Sequence, residues 1–437
     1  MKKQTLSVLA AFPLLAAGCG DRLAAPEPEA PEGPLATAKP TLILEAEVPS
    51  SAGGSGPPPS AYGQLIAEVS PGWSVDDINA TWGTTTIDDM PGSPFALLAM
   101  PSGSSYYTMA TALLSNGACV TCSPNYYTET PEAEQGTIAF YEGNLEPSDF
   151  ADQDAFDRVR ATAAHVAGTG AGVTVAVLDT GLDFTHPDLM ARAPLNGWDF
   201  VAPDSDPTDQ IDGVDEDGDG IYDEAAGHGT HVAGIIHAMA PSATILPVRV
   251  LNSDGVGTLY AVAQGVNYAV DQGADVINLS LGFSGYSKLL HTVIQGAEAA
   301  GVVTVGSAGN SGIYFTSHFP SNLPEVLSVG ALNATDHKAS FSNFGPTVEI
   351  AAPGESIIST YLFQGYAVWS GTSMATPFVA GAAALACEMS PQMSPAEIRA
   401  TVTGAATPLS HTGFPYAGLL GAGRVDLLPI VLGTAEQ

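Results

Sequence analysis

A chain of 437 residues has room for one large domain and a smaller companion. Its 46 acidic residues against 12 basic ones give a formal net charge of -34. That balance excludes a nucleic-acid partner, because phosphate backbones are held by Lys and Arg.

Lys2 and Lys3 precede an apolar run at 6–15, then Ala16-Ala17-Gly18 and Cys19. A basic region, a short apolar stretch and small residues at a cleavage point make residues 1–18 a secretory signal. The run is too short to span a bilayer. Small residues followed at once by Cys19 resemble the lipobox of bacterial lipoproteins, although Ala16 stands where that motif usually has leucine. The resemblance implies lipidation of Cys19. With Gly20 next rather than Asp, it also implies sorting to the outer membrane if the bacterium has two membranes. Plain secretion, with Cys19 incidental, is the other reading. Residues 19–60 are rich in Pro, Ala, Glu, Gly and Ser and read as a disordered tether. No later apolar stretch reaches 18 residues, so no transmembrane helix is expected and the lipid is the only membrane link.

Residues 61–128 read as a small α+β unit in β-α-β-α-β order. Strands are expected at 65–69 and 96–100 and helices at 75–82, with Ser74 as N-cap, and at 107–115. Cys119 and Cys122 form one C-x-x-C without the second pair that zinc would want, so a local disulfide is expected. Residues 129–155 hold few hydrophobics and read as a linker.

From 156 to 430 the pattern changes. Short β-branched apolar runs at 173–178, 244–251, 275–281, 302–305 and 326–329 alternate with helical stretches at 228–238, 259–272 and 289–300. Strands that are apolar throughout predict a mostly parallel sheet covered on both faces. In such α/β folds functional groups gather at the carboxyl ends of the strands. Cys387 reads as a buried thiol.

Four segments there carry chemistry. Val175 to Gly181 ends a buried strand in Asp179. Gly227-His228-Gly229-Thr230-His231 opens a helix, and His228 reads either as a general base held by Asp179 or as a metal ligand with His231. A zincin would need H-E-x-x-H, which is absent. Asn310 follows a strand end and suits either turn chemistry or an oxyanion. Gly371-Thr372-Ser373-Met374-Ala375-Thr376-Pro377 sets a serine at the mouth of a helix, where unpaired N–H groups and the helix dipole favour an oxyanion. Pro377 is expected in the first turn.

Together these blocks resemble the subtilisin-like serine proteases, the subtilase or peptidase S8 family, whose chain order is Asp–His–Ser. The resemblance runs from about 170 to 426 and implies a subtilisin-like three-layer α/β fold. It implies Ser373 as nucleophile, His228 as base, Asp179 as its orienting carboxylate, and Asn310 with the Ser373 N–H as oxyanion donors. It implies that substrate pairs as an extra strand with Gly255, Val256 and Gly257 on one side and Ser280, Leu281 and Gly282 on the other. The 61–128 unit resembles the family's prodomain, closing on Ser123-Pro124-Asn125-Tyr126 with Ser123 in place of Glu. A prodomain implies a zymogen inhibited in cis and cut between Tyr127 and about Phe156.

Between Asp204 and Glu224 lie ten acidic residues and no basic one. Asp215, Asp217 and Asp219 match positions one, three and five of a calcium loop. Gly220 gives the turn, Ile221 offers a carbonyl and Asp223 stands at position nine. Ala226 occupies position twelve, so Glu224 would close the site. A structural calcium is therefore expected.

The reading is a secreted serine endopeptidase acting on polypeptides, inhibited by its own prodomain and monomeric. The pocket segments are mostly small residues, which predicts a roomy, apolar-tolerant first pocket; no strongly charged preference follows from them. Two alternatives stand beside it: a catalytically silent subtilase-fold binding module, and a calcium-binding surface lipoprotein.

Overall fold

The computed structural model describes residues 60–132, 145–193, 197–314, 318–409 and 416–433. The signal, Cys19 and nearly all of the tether lie outside these residues.

The first unit runs β1 (Ser60–Val69), α1 (Val75–Trp82), β2 (Thr85–Asp89), β3 (Phe95–Ala99), α2 (Tyr106–Ser115) and β4 (Cys119–Glu129). Ser74 caps α1 through a capping box: its Oγ accepts the Asp77 N–H, and the Asp77 carboxylate accepts the Ser74 N–H. The order is β-α-β-β-α-β rather than β-α-β-α-β. Strand β2, Thr-Thr-Ile-Asp-Asp, is mostly exposed and has no apolar face to betray it. The strands β1 and β3 pair antiparallel, as do β1 and β4. Alternation along β1 serves two cores. Leu65 and Ala67 meet the unit's own helices, and Ile66 packs with the large domain.

The disulfide expected between Cys119 and Cys122 is not formed. Three residues along an extended strand separate two Cα atoms by about 10 Å, and a disulfide tolerates no more than about 7 Å.

The large domain begins with three short helices, α3 (Pro147–Ala151), α4 (Asp154–Arg158) and α5 (Ala161–Ala164). Then follow β5 (Thr174–Asp179), β6 (Trp198–Asp199), α6 (His228–Met239), β7 (Thr244–Arg249), β8 (Val256–Thr258), α7 (Leu259–Asp271) and β9 (Val276–Leu279). Next come β10 (Phe283–Ser284), α8 (Lys288–Ala299), β11 (Val303–Ser307), β12 (His318–Phe319), β13 (Val326–Leu332), β14 (Ile350–Pro353), β15 (Ile357–Tyr361) and β16 (Gly365–Trp369). The chain closes with α9 (Thr372–Met389), α10 (Pro395–Gly404) and α11 (Leu427–Leu432).

Seven strands form one sheet in the order β14-β13-β11-β9-β5-β7-β6, and every pair is parallel. On β5, Val175 and Val177 pack with Val232 and Ile236 of α6 and Phe378 of α9. Ala176 and Leu178 face the other way, with Val262 and Val266 of α7 and Ile294 of α8. Helices on both faces make the three-layer α/β fold and explain why the strands are apolar throughout. Because the sheet is parallel, Asp179 and Ser307 end their strands and Ser280 follows the end of β9 at one edge, and the polar residues collect there.

The two domains meet through β4, which pairs antiparallel with β8. Asn125 Oδ1 also accepts the Tyr260 N–H at 3.1 Å, meeting one of the unpaired donors at the start of α7. Among the described residues no helix is long and apolar enough to cross a membrane.

Candidate active site

Asp179, at the tip of β5, accepts the His228 Nδ1–H on Oδ1 at 2.7 Å. His228 is the first residue of α6, and both side chains are fully buried. The helix can sit this close because Gly229 lacks a side chain: a Cβ there would fall 2.3 Å from the Gly181 carbonyl oxygen. Gly227, at φ +88°, turns the chain into the helix, and its N–H donates to Asp209 Oδ1 at 2.9 Å. Thr230 Oγ donates to the other Asp209 oxygen at 2.9 Å. Asp209, grouped in sequence with the acidic loop, thus caps the histidine helix. Trp369 packs its ring edge-to-face against His228, with centroids 5.1 Å apart. His231 does not join a metal site with His228. Its Nε2 faces the carbonyls of Ile357 and Ala367, both at 3.2 Å. Burial, with the His228 charge added, pushes it down to about 3 and keeps it neutral.

Ser373 is the second residue of α9, so its N–H is one of the helix's unpaired donors. Pro377 sits inside the helix rather than in its first turn. It lacks the N–H that would bond the carbonyl four residues back, which is that of Ser373. Ser280 Oγ donates to that carbonyl instead, at 2.9 Å. Asn310 is oriented by Thr372, whose N–H and Oγ–H both donate to Asn310 Oδ1 at 2.9 Å. The Asn310 amide N–H is thereby aimed into the cleft.

These groups converge on one side chain that the sequence reading missed, the fully buried carboxylate of Glu132. Ser373 Oγ donates to Glu132 Oε2 at 2.5 Å, His228 Nε2 lies 3.2 Å from the same oxygen, and Asn310 Nδ2 donates to Oε1 at 2.8 Å. Gly371 makes the space, since a Cβ there would fall 1.5 Å from Glu132 Oε1. Both nitrogens of His228 face carboxylates, so both carry protons. Burial works against that charge, but Asp179 and then Glu132 outweigh it and hold His228 up to about 10. A carboxylate bound to serine, imidazolium and amide occupies the place of a tetrahedral oxyanion and its neighbours.

The chain leading to Glu132 lies in the cleft as an added strand. Tyr127, Thr128 and Glu129 pair with Thr258, Gly257 and Val256. The Thr130 N–H donates to the Gly255 carbonyl, while Glu129 and Gly282 exchange both main-chain hydrogen bonds. Leu281 turns its buried side chain into the core shared with α7 and α8. A short motif could not reveal Glu132, because only the run of β4 through the cleft brings it to Ser373.

The acidic loop abuts this edge. Oxygens of Asp215, Asp217 and Asp219 come within 4.8 Å of one another. Glu224 is buried, and among the described residues neither of its carboxylate oxygens has a hydrogen-bond partner. Burial first, then Asp219, Asp217 and their neighbours, push it up to about 8. Asp223 departs from the expected ligand set. At φ +56° it turns its carboxylate to the N–H groups of Asp212 and Gly213. Ile221 lies in the loop with its N–H bonded to Asp219. Asp254 ties loop to cleft, accepting the N–H of Glu216 at 2.7 Å and of Asp223 at 2.6 Å, one residue before Gly255.

The sequence pattern of the Subtilase family matches residues 170–423. The chain is a subtilase, a subtilisin-like serine protease. Subtilisin BL of Lederbergia lenta is 42% identical over 275 residues, which cover 61% of this chain and 95% of that protein. Subtilisin E of Bacillus subtilis is 38% identical over 276 residues, 60% of this chain and 68% of that one. Among solved structures, a protease from Pseudoalteromonas arctica superposes with a TM-score of 0.60 at 32% identity, covering 66% of the subtilase and 98% of that chain. Fervidolysin of Fervidobacterium pennivorans, a keratinolytic enzyme related to subtilisin, gives a TM-score of 0.70 at 24% identity over 86% of the subtilase and 62% of its own chain, which bears on the fold alone.

Proposed function

We propose that this subtilase is a secreted endopeptidase, made as a zymogen, that hydrolyses internal peptide bonds through an acyl-enzyme. The observation that carries the reading is the convergence of Ser373, His228 and Asn310 on one carboxylate, with Asp179 behind the imidazole. When a substrate carbonyl replaces that carboxylate, Ser373 Oγ attacks it and His228 takes the serine proton. Asp179 holds the imidazole in the tautomer this needs. Asn310 Nδ2–H and the Ser373 N–H receive the oxyanion. The imidazolium then protonates the leaving amine, and water attacks the acyl-enzyme by the reverse path. Incubation with casein tests the reading: internal cleavage products mark an endopeptidase, and intact casein after complete processing contradicts it.

The 61–128 unit acts as prodomain and inhibitor in cis. Its support is the strand from Tyr127 to Thr130 lying in the cleft, ending on Glu132. The signal over 1–18 directs export, and Cys19 carries a lipid that tethers the enzyme to the envelope.

Calcium would be held by Asp215, Asp217, Asp219 and Glu224, with the Ile221 carbonyl at the turn. The buried, partnerless carboxylate of Glu224 beside three further carboxylates fits a hard cation with oxygen ligands. Bound calcium supplies positive charge that lets these acids pack together. The metal at 100 times its Kd stabilises the folded state by about 2.7 kcal/mol. Chelation is therefore expected to lower Tm by roughly 5–10 °C. Because Asp254 joins the loop to Gly255, activity should fall with it. A melt with and without chelator checks this, and an unchanged Tm contradicts it.

A further inference from the structure

His318 is a buried titratable group with no part in the chemistry above. It opens β12, which pairs with β10 immediately after the substrate segment at 280–282. Its ring lies between two glycines of the cleft. A Cβ on Gly282 would fall 2.2 Å from Nε2, and one on Gly309 would fall 3.0 Å from Nδ1. Gly282 holds the Glu129 backbone, and Gly309 precedes Asn310. The ring therefore stands between the strand that grips the substrate and the segment that supplies the oxyanion donor. A side chain next to a carbonyl held at Ser373 and Asn310 would enter beside it.

His318 Nε2 is buried and has no hydrogen-bond partner among the described residues. Leaving a buried polar atom unmet is costly, and a ligand in the cleft would offset that cost. Burial pushes the ring down to about 4, and the Glu132 carboxylate acts in the opposite direction. A carboxylate entering beside the ring accepts from Nε2–H and favours the imidazolium. The chain between the domains offers such groups at Glu129, Glu132, Glu134, Glu142 and Glu146, and has no Lys or Arg from 129 to 146.

We propose that His318 is the specificity-determining residue of the first side-chain pocket and that the enzyme prefers to cut after carboxylate side chains, glutamate above all. This deepens the endopeptidase reading and rests on it. It also goes beyond the roomy, apolar-tolerant pocket expected from the small residues of the two substrate segments.

The test is a series of chromogenic peptides differing only in the residue before the scissile bond: Glu, Gln, Leu and Lys. Active sites in each preparation are counted with a fluorophosphonate. Wild type is expected to favour Glu over Gln in kcat/KM by about tenfold or more, the difference between a charge-assisted and a neutral hydrogen bond. In His318→Ala that ratio should fall to near one. His318→Gln provides a second variant with a donor but no titratable ring, and is expected to lie between the two. Labelled wild type without a Glu preference, or a Glu preference that survives in His318→Ala, overturns the assignment alone. Processed wild type that takes no label overturns the endopeptidase reading and this proposal with it.

Discussion

Ser373→Ala is expected to lower kcat by about a million-fold, the loss associated with removing the nucleophile on the subtilisin scaffold to which this chain is related. The size follows from cooperation. Ser373 Oγ and His228 Nε2 meet on one Glu132 oxygen, with Asp179 behind the imidazole, so with that carboxylate gone the three would act as one unit and His228→Ala added to Ser373→Ala should cost almost nothing more. Asn310→Ala is expected to cost about a hundred- to a thousand-fold, because the Ser373 N–H still holds the oxyanion. Peptide turnover by processed enzyme checks all three. Thr372 and Ser280 position these groups without touching the substrate chemistry: one aims Asn310, and the other takes the carbonyl bond that Pro377 frees.

Glu132→Ala is expected to unmask the precursor before any cut is made. The Glu132 carboxylate meets Ser373, His228 and Asn310 and helps hold His228 protonated, so in the proposed zymogen it would block the cleft and disable the base together. Removing it forfeits charge-assisted hydrogen bonds. A net loss of about 3 kcal/mol corresponds to roughly a hundredfold weaker closure. The backbone pairing of Tyr127 to Thr130 remains, so the segment stays attached but less occluding. The initial rate of fluorogenic peptide turnover by full-length precursor should rise about a hundredfold in this variant. Equal rates in wild type and Glu132→Ala would contradict the role.

The same contact makes closure depend on pH. His228 stands at about 10 in the closed cleft, above its ordinary 6.5, so its contribution is complete below about 6.5 and fades as pH rises through 10. Burial opposes the charge, Asp179 and Glu132 support it, and the neighbouring His231 is neutral. Precursor latency should therefore weaken toward alkaline pH, and Glu132→Gln should flatten that dependence.

The parts legible in the sequence were those in which one residue run carries both its periodicity and its chemistry. The apolar runs at 173–178 and 302–305 announced a doubly covered parallel sheet, and the glycines around His228 announced a helix in close contact. The rest depends on contacts between distant segments. Glu132 lies in a linker without apolar pattern, and only the pairing of β4 with β8 carries it to Ser373. His318 opens a two-residue pairing with β10, too short to leave a periodic signal. Asp209 and Asp223 look like members of an acidic cluster, yet backbone N–H groups claim them as a helix cap and a turn. Strand β2 is mostly exposed and so leaves no alternation to read.

The claim that Ser373 is an activated nucleophile is tested most directly by fluorophosphonate labelling of the processed protein, followed by mass spectrometry of its peptides. The account predicts one adduct, on the peptide containing Ser373, and none in Ser373→Ala. Folded, processed wild type that takes no label, or an adduct that persists in Ser373→Ala, would contradict it.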